Sequence, residues 1–112
     1  MHKTVCSPRR ELGRTGFVVT PLGIGDVADR HIPLAQLVAT VRRAIDAGLN
    51  LLDTAPGYEA GYSEEVVGQA VQGQRERLFV IDKIDFPEQP VAPQIDKSLA
   101  LLQLDYTDLF VF

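Results

Sequence analysis

The sequence predicts an α/β domain built around a parallel sheet. Three observations carry that prediction. Short apolar runs recur at Pro21–Ile24, Asn50–Leu52, Leu78–Ile81 and Leu109–Phe112, with starts roughly 30 residues apart, the length of one βα repeat. Helical patterns fill the stretches between them. The runs are also continuous rather than alternating, which predicts strands buried on both faces.

The front end falls outside this rhythm. Residues 1–8 read as a disordered lead that contains the single cysteine, Cys6, as a free thiol. Arg9–Leu12 and Phe17–Val19 flank Gly13-Arg14-Thr15-Gly16, which predicts a β-hairpin with a glycine-framed turn. The first repeat follows, with a strand at Pro21–Ile24 and a helix over Leu34–Ala47. In that helix Leu34, Leu37, Val38, Val41, Ala44 and Ile45 follow the spacing of one buried stripe. Pro33 suits its first turn and Gly48 a left-handed stop.

The second helix is expected over Glu64–Gln72, with Ser63 as N-cap and Glu64 and Glu65 at the positive end of the helix dipole. Gly68 is expected to weaken it by about 1 kcal/mol relative to alanine. The third is expected from about Ala92 to Gln103, with Pro93 in its first turn. The result is a hairpin plus three and a half βα units.

Such units build either an open doubly wound sheet or a closed eight-fold barrel. A dinucleotide-binding open sheet normally carries G-x-G-x-x-G at its first strand-to-helix turn. Gly23-Ile24-Gly25-Asp26-Val27-Ala28 lacks the third glycine, and the helix starts only at Leu34, which argues against that form.

Composition narrows the function classes. With 112 residues, 46% hydrophobic and 23% charged, the chain has the make-up of one globular domain. The net charge is −4, the pI is about 5.0, and no basic stripe exists. Nucleic acid and anionic membrane surfaces are therefore not expected partners. One cysteine permits no internal disulfide and fits a reducing, cytoplasmic setting. Met1–Glu11 holds no apolar signal core, and no apolar run nears the roughly 20 residues of a membrane span. No Cys/His cluster has zinc spacing, so no metal is expected.

Reactive residues of βα barrels gather at the C-terminal ends of strands. Asp53 stands at the end of the second strand, Lys83 at the end of the third, and Tyr58 in the loop after Asp53. Strand alternation puts Leu51 with Asp53, and Ile81 with Lys83, on one face. A phenol titrates near 10, too high for an efficient acid near neutrality, and a nearby ammonium favours the phenolate. A carboxylate would orient that ammonium. Such a trio can protonate a carbonyl oxygen while a cofactor delivers hydride. Taken singly, the three read more readily as a loop cap, a solvated strand tip and a packed aromatic. Tyr62 competes with Tyr58 at a poorer spacing from Asp53. His31, in the first βα loop, reads as a solvated loop residue.

Several blocks in order resemble one family. Leu12–Gly25 is similar to the opening of the aldo-keto reductases. Ala47-Gly48-Leu49-Asn50-Leu51-Leu52-Asp53-Thr54-Ala55-Pro56-Gly57-Tyr58 resembles their Asp/Tyr signature. Ser63-Glu64-Glu65-Val66-Val67-Gly68 resembles the helix start that follows, and Leu104–Phe110 the run into the fourth strand. The resemblance implies that residues 9–112 form the N-terminal part of a (β/α)8 TIM barrel with a hairpin across its bottom. It implies reduction of small aldehydes and ketones with NADP(H), Tyr58 as general acid, Lys83 as the neighbouring cation and Asp53 as its partner. Gly25, Asp26, Val27 and Asp53 would lie along the cofactor.

Two positions depart from the family pattern. Asp82 replaces a small or hydroxyl residue before the lysine, and should point toward the helices, where an unpaired carboxylate is costly. Asp26 replaces a small residue near the cofactor, where a second anion repels phosphates. The family's tetrad histidine would follow directly after Phe112, so the chain as written is expected to be inactive. Its open sheet edges are expected to self-associate. The competing readings are a non-catalytic binding module of the same fold and a small α/β domain that folds by pairing with another chain.

Overall fold

The computed structural model describes residues 9–112, so the expected disordered lead and Cys6 lie outside the described residues. The hairpin consists of β1 (Arg10–Glu11) and β2 (Val18–Val19), antiparallel with Arg10 opposite Val19. Gly13 at φ 53° and Gly16 at φ 75° make its turn, a conformation that costs side-chain-bearing residues 1–2 kcal/mol. Asn50 ties the hairpin to the sheet: its Oδ1 accepts the Thr20 N–H and its Nδ2 donates to the Val18 carbonyl, each at 2.8 Å. The Phe17 ring meets Phe79 edge-on at 5.4 Å, at the start of a sheet strand. The hairpin therefore sits at the N-terminal ends of the strands.

The main sheet holds β3 (Leu51–Asp53), β4 (Phe79–Lys83) and β5 (Leu109–Val111), all parallel, in that order. Asp53 stands opposite Ile81, and Lys83 opposite Val111. The expected first strand shrinks to one bridge, Ile24 beside Leu52. Pro21 has no N–H to give, and the Thr20 hydroxyl bends the chain onto the Leu22 carbonyl at 2.6 Å. Gly23 then passes so close to β3 that a Cβ there would lie 2.9 Å from the Leu51 carbonyl oxygen.

The helices are α1 (Leu34–Asp46), α2 (Tyr62–Ala70) and α3 (Val91–Leu102). They cover one face of the sheet only. Leu52 and Val80 from the strands, Val41 and Ile45 from α1, Val66 and Ala70 from α2, and Leu102 from α3 form one buried core. The expectation of burial on both faces is thus corrected: Leu109 and Val111, on the opposite face, are 44% and 39% exposed. The thinnest dimension of the molecule, 20 Å, is that of one helix layer on one sheet. The architecture is a partial α/β barrel with an unclosed parallel sheet.

Two local expectations also change. Helix α2 starts at Tyr62, behind Gly61 at φ 92°, so Ser63 lies inside it. The Ser63 hydroxyl pairs with that of Thr54 at 2.8 Å instead of capping the helix. Gly68 is more than a weak point, because a Cβ there would lie 2.0 Å from the Leu102 carbonyl oxygen. It lets the end of α3 rest directly on α2. Among the described residues, no helix is long and apolar enough to cross a membrane.

Candidate active site

The register of the sheet brings Asp53 and Lys83 together. Both point to the face away from the helices, at the C-terminal ends of adjoining strands. The Lys83 ammonium donates to the Asp53 carboxylate and, at 2.9 Å, to the Thr54 carbonyl. Burial pulls the pKa of Lys83 down, but the bond to Asp53 and its charge, with help from Tyr58, more than offset this, and the net direction is up. Lys83 is therefore a fixed cation at neutral pH.

Tyr58 begins a short 3-10 turn, Tyr58–Gly61, five residues after Asp53. Its ring centroid lies 5.1 Å from Lys83 Nζ. The turn is strained, since Glu59 and Ala60 both adopt left-handed φ, 49° and 50°. Arg30, from the loop after Ile24, holds it there. Its Nε donates to the Glu59 carbonyl and one terminal nitrogen to the Ala60 carbonyl, both at 2.9 Å. The Arg30 guanidinium also stacks over Tyr62, 5.0 Å from the ring centroid. The Tyr62 hydroxyl donates to the Ile32 carbonyl at 2.7 Å, so Tyr62 is committed to the Arg30 loop. Of the two tyrosines, Tyr58 is the one that meets Lys83.

Beside this trio lies an open cavity of about 460 Å³. Its floor is apolar, from Gly23, Ile24, Leu51, Ile81 and Val111, and Gly25, Asp53 and Lys83 edge it. A Cβ at Gly25 would meet nothing within 4 Å, so the backbone there is open to an approaching group. The neighbouring residues differ in role. Asp26 is exposed and turns its Oδ1 back onto the Ala28 N–H at 3.0 Å. Val27 is half-buried and packs against the core. His31 is exposed in the same loop. Asp82 faces the helices, as alternation predicts, and is fully buried.

Sequence reasoning misses three supports of this site. Arg30 carries no periodic signal, because it works from an irregular loop onto backbone carbonyls. Glu64 reads only as a carboxylate at the positive end of a helix dipole, with no sign that it is fully buried. Arg75 bonds Asp108 at 2.9 Å and the Leu78 carbonyl at 2.7 Å, joining the lower ends of β4 and β5. Among the described residues, no cluster of three His, Cys, Asp or Glu could hold a metal ion.

Comparison with known proteins bears on the fold and the family. A curated relative, L-galactose dehydrogenase of Arabidopsis thaliana, is 38% identical over 114 aligned residues, covering 89% of this chain and 36% of the relative. A mouse aldo-keto reductase, family 1 member C13, is 34% identical, covering 86% of this chain and 32% of its own length. The chain thus spans about a third of the length of these relatives. Among solved structures, an aldo/keto reductase from Klebsiella pneumoniae in complex with NADP and acetate superposes with a TM-score of 0.74 at 36% identity. That match covers 83% of this chain and 35% of that one. Residues 21–112 match the sequence profile of the Aldo/keto reductase family. With that match over most of its length and the Asp53–Lys83 pair at its strand ends, the chain belongs to the aldo/keto reductase family of oxidoreductases.

Proposed function

We propose that this chain carries the proton-donating part of a cytoplasmic, NADPH-dependent reductase of small aldehydes and ketones. The observation that supports it most is the Lys83 ammonium, bonded to Asp53 and lying beside the Tyr58 ring. In this reading Tyr58 gives its phenolic proton to the carbonyl oxygen as the carbonyl carbon is reduced. Lys83 stabilises the phenolate that remains. Asp53 keeps Lys83 charged and fixes its direction.

The residues present fit a nicotinamide cofactor. The cavity floor is apolar and open, and its rim carries Asp53 and Lys83. Gly25 and Asp53, which edge the cavity, would hold the cofactor, with the backbone of Asp26 and Val27 continuing beside it, and when bound it supplies the hydride that no side chain carries. The chain alone is expected to be inactive. The side chains of Lys83 and Asp53 are 26% and 41% exposed among the described residues, so water reaches the reacting groups.

The test is a chimera in which residues 21–112 replace the matching segment of a complete family barrel such as the Klebsiella enzyme. It should oxidise NADPH in the presence of a small aldehyde. Tyr58→Phe should lower kcat by about 100-fold or more, with little change in KM. Tyr62→Phe should leave kcat within a few-fold. Equal rates for the parent chimera and Tyr58→Phe would remove Tyr58 from the acid role.

A further inference from the structure

Two carboxyl groups lie on the helix side of the sheet, where neither reaches solvent. Asp82 comes from β4 and Glu64 from the first turn of α2, and each is 0% exposed. Among the described residues, both Glu64 oxygens and Asp82 Oδ2 have no hydrogen-bond donor. The other Asp82 oxygen, Oδ1, accepts the backbone N–H of Lys83 at 2.8 Å. Each carboxyl bears on the other, since the hydrogen bond and charge of Glu64 are among the causes that raise the pKa of Asp82. Ionised carboxylates only accept, so a bond between them requires a proton on one. Two buried anions in contact, with no cation between them, are far costlier than one acid and one anion.

We infer that Glu64 and Asp82 share one proton, and that this acid pair positions the end of β4, and with it Lys83, through the bond from Asp82 Oδ1 to the Lys83 N–H.

Among the described residues, no cationic side chain is hydrogen-bonded to either carboxyl group. The Lys83 side chain is on the opposite face, committed to Asp53. From α3, buried Ser98 and exposed Lys97 line the cavity that Glu64 also borders, with exposed Asp85 from the loop after β4. Just after β3, the Thr54 hydroxyl is occupied by Ser63. From β5, apolar Phe110 stands opposite Asp82. The nearest buried cation of that strand pair, Arg75, is taken by Asp108 at the other end.

Burial raises the Asp82 pKa most, the hydrogen bond to Glu64 and its charge raise it further, and the N–H and charge of Lys83 oppose them. The outcome is about 8, against 3.8 for an unfolded aspartate. Between those values the folded chain holds one proton that the unfolded chain lacks. Folding therefore weakens as pH rises through that window, and levels off above about 8.

The role toward Lys83 rests on the proposed reductase reading, but the shared proton does not, so the test needs no activity. Infrared spectra of the chain with 13C-carboxyl aspartate should show, at neutral pH, a protonated-carboxyl band that shifts with the label. Asp82→Asn should abolish it. Urea titrations should show the parent losing up to about tenfold in folding constant per pH unit across the window, relative to Asp82→Asn. The Lys83 backbone amide resonance should move with the same titration. Absence of any labelled or unlabelled protonated-carboxyl band in the folded parent overturns the shared proton, whether or not the variant folds. Equal pH slopes in parent and Asp82→Asn overturn it too. A Lys83 amide that stays fixed through the titration overturns the positioning role.

Discussion

Lys83 shows how one residue can be set by two opposing effects. Its ion pair with Asp53 is partly open, with side chains 26% and 41% exposed. A pair in that position contributes about 1 kcal/mol or less to stability, so its value lies in fixing charge and direction rather than in holding the fold. Asp53→Asn should therefore unfold nothing, yet should lower the Lys83 pKa, because burial then acts without its counterweight. Nuclear magnetic resonance of 15N-labelled lysine ammonium groups would read this directly, and an unchanged titration of Lys83 would refute the assignment. Strand alternation and a short loop make a meeting of Asp53, Tyr58 and Lys83 plausible from the sequence, and the family resemblance singles the three out. The burial of Glu64 was not legible there. Helix periodicity places it near the start of α2, and only the tertiary packing of α2 over β4 reveals that this position is sealed.

At the scale of elements, the sequence rhythm located the three α-helices and the three strands of the parallel sheet to within a few residues. The boundaries moved where backbone hydrogen bonding decided the matter. Pro21 and the bend at Thr20 leave the first strand a single bridge, which apolar content alone cannot foresee. Gly68 was legible as a glycine in a helix but not as a contact. Its missing side chain admits the Leu102 carbonyl, so Gly68→Ala should destabilise the chain by about 1–3 kcal/mol, although alanine is the better helix former. A lower urea midpoint with an unchanged m-value is the expected result, and a higher midpoint would mean that α3 shifts freely off α2. The Arg75–Asp108 pair gives a second measure of element packing. Asp108 Oδ2 also accepts the Val80 N–H at 2.8 Å, so Asp108→Ala leaves a nearly buried guanidinium without its carboxylate and a strand N–H unpaired. About 3–5 kcal/mol should be lost, read from the same titrations.

The whole molecule is a helix layer on a sheet whose other face is uncovered among the described residues. On that face Leu109 and Val111 project from β5, and Phe112 beside them is 79% exposed. Strand β5 is also the edge of its sheet, with unpaired backbone groups along its outer side. An apolar face and an unpaired edge in the same strand favour contact between copies of the chain. The 112-residue chain should sediment as concentration-dependent oligomers. Leu109→Lys combined with Val111→Lys would place two charges on the inner face without altering the helix-side core, because alternation points both residues away from α2 and α3. That pair of changes should move the chain toward monomer while the core melts at a similar temperature. If the double variant associates as strongly as the parent, the contact runs through the helices or the hairpin, and the open inner face plays no part in it.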